Sequence, residues 1–374
     1  MRPSRFAIRH SFVLLCASVP LWFQPATSRV LADEEPVKLR AYRQIVDTSV
    51  DRGLAFLARD QAENPLSNGS FTGQYGETNG VVGLAGMAFL ARGYRPGAPP
   101  YGAVINRTID YILSTETNNG YLGTRGGKMY EHSIAALYLS EVSGMVDSSR
   151  QEQIDRMLPR AIKIILVAQN DPKELTKDGP IYHGGWRYEP DSKDSDLSVT
   201  GWCLMALRSA RLNGAPVPDS AIEQALTFID RCRNRYSGGF GYLPGHRHHS
   251  NRRWQEPAAN FRLTGVALLC RELSGHHGDE TNLKAGDFIL ASLPGPGGFF
   301  PPGHEEYGAY YCAQAMFQLG GRHWEEFAAR MYQHLPAIQD NDGAWRTEQG
   351  TTYPTAMYLL ALSVSYRQLP IYQR

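Results

Sequence analysis

The amino-acid sequence predicts an all-α protein, an (α/α)6 toroid in which six helical hairpins close into a double ring. Three observations predict this fold. A glycine-aromatic turn recurs six times at spacings of roughly 46 to 65 residues, near the range typical of stacked helical repeats. An amphipathic helix precedes each turn, and a helix that is apolar nearly all round follows it. The aromatic residues of the turns are Phe71, Tyr121, Trp186, Phe240, Phe299 and Trp345.

The helices before the turns carry one apolar stripe each. In the third unit the stripe begins at Ile154 and ends at Ile165, and in the fourth it begins at Ile222 and ends at Ile229. Apolar residues at these 3- and 4-residue spacings predict helices with one buried and one solvent-facing side. Ser220 and Glu223 have the spacing of a capping box, which predicts the start of the fourth outer helix.

The helices after the turns are apolar on every side, so each must be surrounded by other helices. These runs cover residues 80–91, 133–142, 200–210, 264–273, 309–319 and 355–364. An open solenoid needs polar repeats at its two ends, but the first and last runs are as apolar as the middle ones. The two ends are therefore expected to bury each other, with six inner helices around a central cavity. All inner helices then begin at one end of the ring, where their N–H groups line a shallow funnel.

The N-terminal residues differ in character from the rest of the chain. Arg2, Arg5 and Arg9 precede an apolar run, "SFVLLCASVPLWF", that is too short to span a bilayer, and "VLA" precedes Asp33. This pattern predicts a secretory signal peptide over residues 1–32, followed by one domain over 33–374. We therefore expect an exported protein, periplasmic or secreted.

Composition limits the classes of partner that the chain is expected to bind. The chain has 374 residues, 42% hydrophobic and 20% charged, and a formal net charge of +1. Such a balance favours neither nucleic acid nor an anionic membrane surface as a partner. No run after the signal is long and apolar enough to cross a membrane. The cysteines at positions 203, 232, 270 and 312 form no C-x-x-C pair, and we expect small buried core residues, although the sequence does not exclude disulfides.

Several stretches resemble a known superfamily. Leu335, Gln339, Gly343 and Trp345 have the spacing of the Gln-Trp repeat of squalene and oxidosqualene cyclases. The stretches "GGFGYLPGHRHH" and "GGFFPPGHEEYGAYYC" resemble repeats of protein prenyltransferase β subunits. The unit "GGWRY…SVTGW" and the C-terminal residues resemble exported bacterial prenyltransferase/squalene-oxidase repeat proteins. The resemblance covers nearly the whole mature chain and implies the toroid fold, with Gln169, Gln339 and the turn aromatics as scaffold.

Triterpene cyclases use an Asp-x-Asp-Asp motif at an inner-helix start, because protonating an alkene requires a tuned acid. The nearest match is "DSDLS", which makes Asp194 and Asp196 the candidate catalytic residues. In one register Leu197 occupies the place of the third acid. In the other, Asp196 matches only the first acid, and Ser198 and Val199 replace the others. The alternative is that Asp196 or Ser198 caps the inner helix.

Protein prenyltransferases hold zinc with Asp, Cys and His, and the matching positions here are Tyr307, Ala309 and Pro354. None of these can serve, so the sequence predicts no metal and no cofactor. The loop "GHRHHSNRRW" leaves an alternative open, in which His246 binds a diphosphate, or binds a metal together with His248 or His249 and His304. A solvated polar loop is the simpler interpretation.

Other residues near the inner-helix starts are expected to contact a ligand. They are Tyr130, His132, Trp202, His246, Trp254, Phe261, Arg262, Glu306, Tyr307, Tyr310 and Tyr353. Aromatic walls would suit an isoprenoid small molecule, and they would also suit a sugar ring. Three functions therefore stay open at this point: a terpenoid-type site with a degenerate acid motif, a carbohydrate-active enzyme with two carboxylates across a groove, and a non-catalytic binding or scaffold protein.

Overall fold

The structure is a computed structural model that describes residues 36–117, 119–124, 128–171, 179–247, 253–295, 299–301 and 303–373. The expected signal peptide over residues 1–32 lies outside this part of the chain. The described residues contain thirteen α-helices and one two-stranded β-ribbon. None of the described helices combines the length and the apolarity that crossing a bilayer requires. The predicted all-α fold is confirmed.

Six hairpins account for twelve of these helices, after the short helix α1 (Val37–Arg40). The outer helices are α2 (Arg43–Glu63), α4 (Gly102–Ser114), α6 (Ser148–Ala168), α8 (Asp219–Arg231), α10 (Glu280–Ser292) and α12 (Gly321–Ala337). The inner helices are α3 (Asn79–Ala91), α5 (Lys128–Val142), α7 (Leu197–Leu212), α9 (Phe261–Leu273), α11 (Glu305–Leu319) and α13 (Thr352–Leu362). The ribbon pairs β1 (His246–Arg247) with β2 (Trp254–Gln255) ahead of α9. Short 3-10 turns lie at Gly179–Tyr182, Val364–Tyr366 and Pro370–Tyr372.

The inner helices form a closed ring. Each packs against the next in chain order, and α13 packs against α3, so the last hairpin meets the first. Every residue of α3 is buried. By contrast, the outer helices bury only one stripe, for example Ile154, Ile162 and Ile165 on α6. The expectation of a closed ring rather than an open solenoid is confirmed.

A glutamine at the end of an outer helix joins neighbouring hairpins. Gln169 Nε2 donates to the carbonyls of Gly184, in its own turn, and Ala221, in the next outer helix, each at 2.8 Å. Gln339 repeats the pattern with Gly343 at 2.8 Å and Ser49 at 2.9 Å. The hydrogen bond from Gln339 to Ser49 joins the two ends of the ring, because Ser49 belongs to α2, the first outer helix. Both glutamines therefore have the scaffold role that their spacing indicates.

The turn glycine also docks on the next outer helix. Gly343 has φ +97°, and a Cβ atom there would lie 2.4 Å from the carbonyl oxygen of Arg52 on α2. Gly69 meets the carbonyl of Arg107 on α4 in the same way, at 2.3 Å. Only glycine combines this backbone conformation with so close an approach. The repeated glycine is thus a contact between hairpins as well as a turn residue.

The turn aromatics pack into the junctions between hairpins. Trp186 Nε1 donates to the carbonyl of Ile165 at 2.7 Å, and Trp345 Nε1 donates to that of Leu335 at 2.8 Å. Both acceptors lie in the last turn of the preceding outer helix, where carbonyls lack partners within the helix. Trp186 and Trp345 are almost wholly buried. Their role is structural, as the repeat spacing indicates.

The capping box at Ser220 and Glu223 is not formed. Helix α8 begins at Asp219, after Pro218, and no side chain caps it. The restricted φ of Pro218, −63°, directs the chain into the helix two residues earlier than the capping box predicts. Asp219 then lies in the first turn, where its charge offsets the helix dipole.

The cysteines at positions 203, 232, 270 and 312 are free and buried. Burial raises the pKa of each thiol, that of Cys270 to about 12. Their expected role as small core residues is confirmed.

Closure of the ring can be tested by adding one methyl group. Gly343→Ala should lower the free energy of unfolding by more than Gly144→Ala, measured by urea denaturation. Both glycines have positive φ, but a Cβ at Gly144 meets nothing within 4 Å. The control should cost about 1–2 kcal/mol from backbone strain, and Gly343→Ala about 1–3 kcal/mol more from overpacking. Equal losses would contradict the close contact between the last turn and α2.

Candidate functional site

An opening into the ring lies where the inner helices begin. It has a volume of about 600 Å³, and residues from all six hairpins line it. Each hairpin contributes one tyrosine to the wall. These tyrosines are Tyr75, Tyr130, Tyr188, Tyr242, Tyr307 and Tyr353. We call this space the tyrosine cavity.

The rest of the lining is mixed. Its aliphatic residues are Val81, Leu84, Ile134 and Leu263. Its other residues are Thr78, Gly80, Glu131, Ser198, Asn260, Arg262, His304 and Gln349. Glu131 is the one carboxylate among the described residues of the lining.

Glu131 is committed to holding the wall together. One carboxylate oxygen accepts the backbone N–H of Asn79 at 2.6 Å and the hydroxyl of Thr124. The other accepts the backbone N–H of Thr124 at 2.9 Å. The side chain is almost wholly buried. It therefore ties the start of α3 to the second turn, and both of its oxygens already accept hydrogen bonds from the protein.

Asp196 is the N-cap residue of α7. Its Oδ1 accepts the backbone N–H groups of Ser198 and Val199, each at 2.9 Å, and the hydroxyl of Ser198 at 2.6 Å. The residue is 0% exposed. Burial raises its pKa, while the hydrogen bonds from Ser198 and Val199 and the charge of Arg187 act in the opposite direction. Since all these partners are donors, the geometry suits a capping carboxylate better than a protonated acid.

Arg187 joins the two candidate aspartates. Its Nη1 lies 3.3 Å from Asp196 Oδ2, and its Nε lies 3.4 Å from Asp194 Oδ2. Its Nη1 also donates to the hydroxyl of Tyr242 at 3.0 Å, and the guanidinium packs over the rings of Tyr188 and Tyr242. The cation therefore fixes two cavity tyrosines to the start of α7. Asp194 is half exposed, and neither aspartate belongs to the cavity lining.

The rim beside α9 and α11 carries the other charges. Arg262 donates to the carbonyl of Gly303 and packs over the ring of Phe261 at 5.1 Å. Glu306 is buried behind the lining, 4.0 Å from His304, and its Oε1 makes no hydrogen bond to any described residue. Burial raises the pKa of Glu306. The rim therefore presents the cationic guanidinium of Arg262 and the imidazole of His304.

Below the tyrosine cavity, the ring is filled by aromatic side chains. The ring of Tyr307 lies 4.7 Å from that of Tyr311, which lies 4.9 Å from that of Tyr310. Tyr310 in turn stacks on Trp202 at 5.4 Å. Trp202 and Tyr310 are buried in this stack and do not line the cavity. The cavity is therefore a chamber at one end of the ring.

His132 holds the scaffold and does not face the cavity. Its Nδ1 accepts the N–H of Leu122 at 3.0 Å, so its Nε2 donates to the carbonyl of Ala161, also at 3.0 Å. Burial lowers the pKa of His132 to about 4, which keeps the ring neutral. The residue links the second turn to α6.

Three further candidates lie outside the cavity lining. Phe261 is buried and stacks on Phe300 at 4.4 Å. His246 is exposed in the β-ribbon, and Trp254 is half exposed there with Arg235 over its ring. His248 and His249 lie outside the described residues. Within the described part of the chain, no group of three or more His, Cys, Asp or Glu side chains is arranged to hold a metal ion.

The structure therefore brings together Tyr130, Arg262, Tyr307 and Tyr353 from the predicted set. The cavity residues Tyr75, Tyr188 and Tyr242 and the anchoring cation Arg187 were not among the predicted site residues. A signal for two of the tyrosines is present in the sequence, because Tyr188 and Tyr242 each follow a Gly-Gly-aromatic turn by two positions. Asn260, which also lines the cavity, is the N-cap residue of α9, as Asp196 is the N-cap residue of α7.

Comparisons by sequence find no relative: no protein-family model and no curated protein matches the chain. Comparisons by structure find the fold in two groups of enzymes. The α-1,6-mannanase GH76A of Salegentibacter sp. HEL1_6 is similar with a TM-score of 0.59 and 10% identity, over 87% of this chain and 99% of the mannanase. A family 76 glycoside hydrolase from a bovine Bacteroides thetaiotaomicron strain gives a TM-score of 0.63 and 8% identity, over 86% and 78% of the two chains.

The type II terpene cyclase MstE from Scytonema gives a TM-score of 0.56 and 14% identity, over 87% of this chain and 99% of the cyclase. An Asp→Asn variant of that cyclase has been solved with its substrate, geranylgeranyl dihydroxybenzoate. A mannanase variant with two consecutive aspartates replaced by asparagine is inactive and has been solved with α-1,6-mannotriose. At these identities the likeness shows the toroid fold, which both groups share.

The capping role of Asp196 can be tested by two substitutions. Asp196→Ala should lower the free energy of unfolding by about 0.5–2 kcal/mol, because two N–H groups of α7 lose their acceptor. Asp196→Asn should cost much less, since an amide oxygen can still cap the helix, and the half-exposed control Asp194→Asn should change little. Chemical denaturation measures all three. A loss as large for Asp196→Asn as for Asp196→Ala would mean that the charge, and not the cap, is what matters.

Proposed function

We propose that the chain binds a largely apolar ligand of the isoprenoid class in the tyrosine cavity, without hydrolysing glycosides. The observation that carries this proposal is the composition of the wall. Six tyrosines and four aliphatic residues line it, and its one described carboxylate has both oxygens engaged by the protein.

The wall suits a chain or ring of hydrocarbon. Each tyrosine offers a large apolar face, and each aliphatic side chain adds surface that gains from removing water. Arg262 and His304 at the rim would suit a polar end group that stays near solvent. An apolar body with a polar end is typical of isoprenoid alcohols and their derivatives.

The carboxylates of Asp196 and Glu131 argue against acid-base chemistry in the cavity. Asp196 accepts hydrogen bonds from the N–H groups of Ser198 and Val199 and lies outside the cavity lining. Glu131 accepts hydrogen bonds from two backbone N–H groups. A cyclising acid must carry a proton to the alkene, which these donor-rich surroundings oppose. A binding role therefore needs fewer assumptions than a cyclase with its acid motif complete.

A carbohydrate-active role is the second candidate, and it is at least as well supported by the structural neighbours. Mannanases share the fold, and tyrosine faces also pack against sugar rings. Glycoside hydrolysis ordinarily uses two carboxylates about 5–10 Å apart across the scissile bond. The mannanase variant in which two consecutive aspartates are replaced is inactive, and this sequence contains no two consecutive aspartates.

A calorimetric titration distinguishes the two candidates. Farnesol and geranylgeraniol should bind the intact protein, and α-1,6-mannotriose should not. Tyr307→Ala and Tyr353→Ala should each weaken farnesol binding about tenfold or more, because each loses one aromatic contact worth about 1.4 kcal/mol or more. Tyr236→Ala is the matched control, since Tyr236 is 87% exposed and lies outside the lining.

Two results would contradict the proposal. Mannotriose binding that Tyr307→Ala and Tyr353→Ala abolish would favour the carbohydrate-active role. Farnesol binding that both cavity variants leave unchanged would place the apolar site elsewhere on the protein.

A further inference from the structure

The C-terminal residues cover the end of the ring opposite the tyrosine cavity. The cavity lies where the inner helices begin, whereas the 3-10 turn Pro370–Tyr372 packs against α7 and is hydrogen-bonded near the ends of α5 and α11. Gln318, near the end of α11, donates to the carbonyl of Tyr372 at 2.8 Å. The hydroxyls of Tyr372 and Tyr310 also share a hydrogen bond. Ile371 is 0% exposed, so this turn belongs to the core of the far end.

A buried carboxylate joins this turn to the ring. Glu141 is the penultimate residue of α5 and is 1% exposed. Its Oε2 accepts the backbone N–H of Ile371 at 3.2 Å, and its Oε1 accepts the hydroxyl of Ser209 on α7. The C-terminal turn thus supplies one of the two donors that the carboxylate has.

No cation balances Glu141 within the described residues. The titratable groups that face it are the phenols of Tyr310 on α11 and Tyr372 on the C-terminal turn, and α7 contributes the neutral hydroxyl of Ser209. Burial raises the pKa of both phenols, so they stay neutral in the physiological range. A buried carboxylate with two neutral donors gains water when the segment above it leaves.

We propose that Glu141 makes the docking of the C-terminal turn sensitive to pH, with the far end of the ring closed in acid and opening more readily toward neutral pH. This inference is independent of the proposed ligand. It rests on three observations together: the burial of the carboxylate, the lack of a counter-ion among the residues that the structure describes, and the direct hydrogen bond from the Ile371 amide.

The direction of the effect follows from linkage. Burial raises the pKa of Glu141 from its ordinary 4.5 to about 7 in the docked state, against the hydrogen bonds from Ser209 and Ile371. A released turn exposes the carboxyl to water, where its pKa returns toward 4.5. Between these values the docked state binds more protons, so release becomes up to about tenfold more favourable for each pH unit. Above about pH 7 both states are ionised, and the effect levels off.

Hydrogen exchange at the Ile371 amide measures the opening directly. The protection factor, corrected for the intrinsic exchange rate, reports the population of released turn in the full-length protein. We expect protection to fall up to about tenfold per pH unit between pH 5 and pH 7, and to stay level from pH 7 to pH 8. Glu141→Gln should make protection independent of pH over this range, because the amide does not ionise.

Two further variants separate titration from simple weakening. Glu272→Gln changes the matching buried carboxylate of α9, which is held by Gly278, Asn282 and His277, and should leave the pH course at Ile371 unchanged. Ser209→Ala removes a donor to the ionised form, so the level region should begin at a higher pH. Constant protection in the wild type between pH 5 and pH 7 would overturn the proposal. So would a pH course that persists in Glu141→Gln.

Discussion

The structure depends on the closure of the ring, and closure depends on how each turn meets the next outer helix. A single hairpin cannot bury an inner helix that is apolar on every side, so each hairpin needs a neighbour on both flanks. In the first, third and sixth turns a glutamine and a glycine supply that contact through backbone carbonyls, which are the same in every sequence. Gln339 and Gly343 make it between the last turn and α2, the first outer helix of the ring. The circle of six helix starts is a consequence of this contact.

The cavity takes its chemistry from what the helix starts require. Free N–H groups at these starts need acceptors, and two carboxylates near the wall are used for that purpose. Asp196 caps α7, and Glu131 accepts from the first residue of α3. Once they are engaged, tyrosines and aliphatic residues make most of the surface that a ligand would meet. The site is therefore rich in aromatic area and poor in free acid, which is why binding of an apolar ligand is the function we propose.

Much of the fold could be predicted from the sequence, because periodicity and a repeated turn are local signals. The six hairpins, the closed ring and the cap at Asp196 all follow from them. Which side chains of an inner helix line the cavity could not be predicted, because a helix that is apolar all round has no polar side to indicate its orientation. On α11, Tyr307 lines the cavity and Tyr311 lies beneath it. The hydroxyl of Tyr310 instead shares a hydrogen bond with that of Tyr372. Tyr188 and Tyr242 were missed because they lie in turns, where helical periodicity gives no direction.

Binding of an isoprenoid can be tested directly by native mass spectrometry of the purified protein, followed by solvent extraction and identification of any small molecule released. We expect a bound species of isoprenoid mass in about one copy per chain, which is lost when Tyr307 and Tyr353 are both replaced by alanine. A bound oligosaccharide lost in the same double variant would contradict it, because the tyrosine cavity would then be a sugar site.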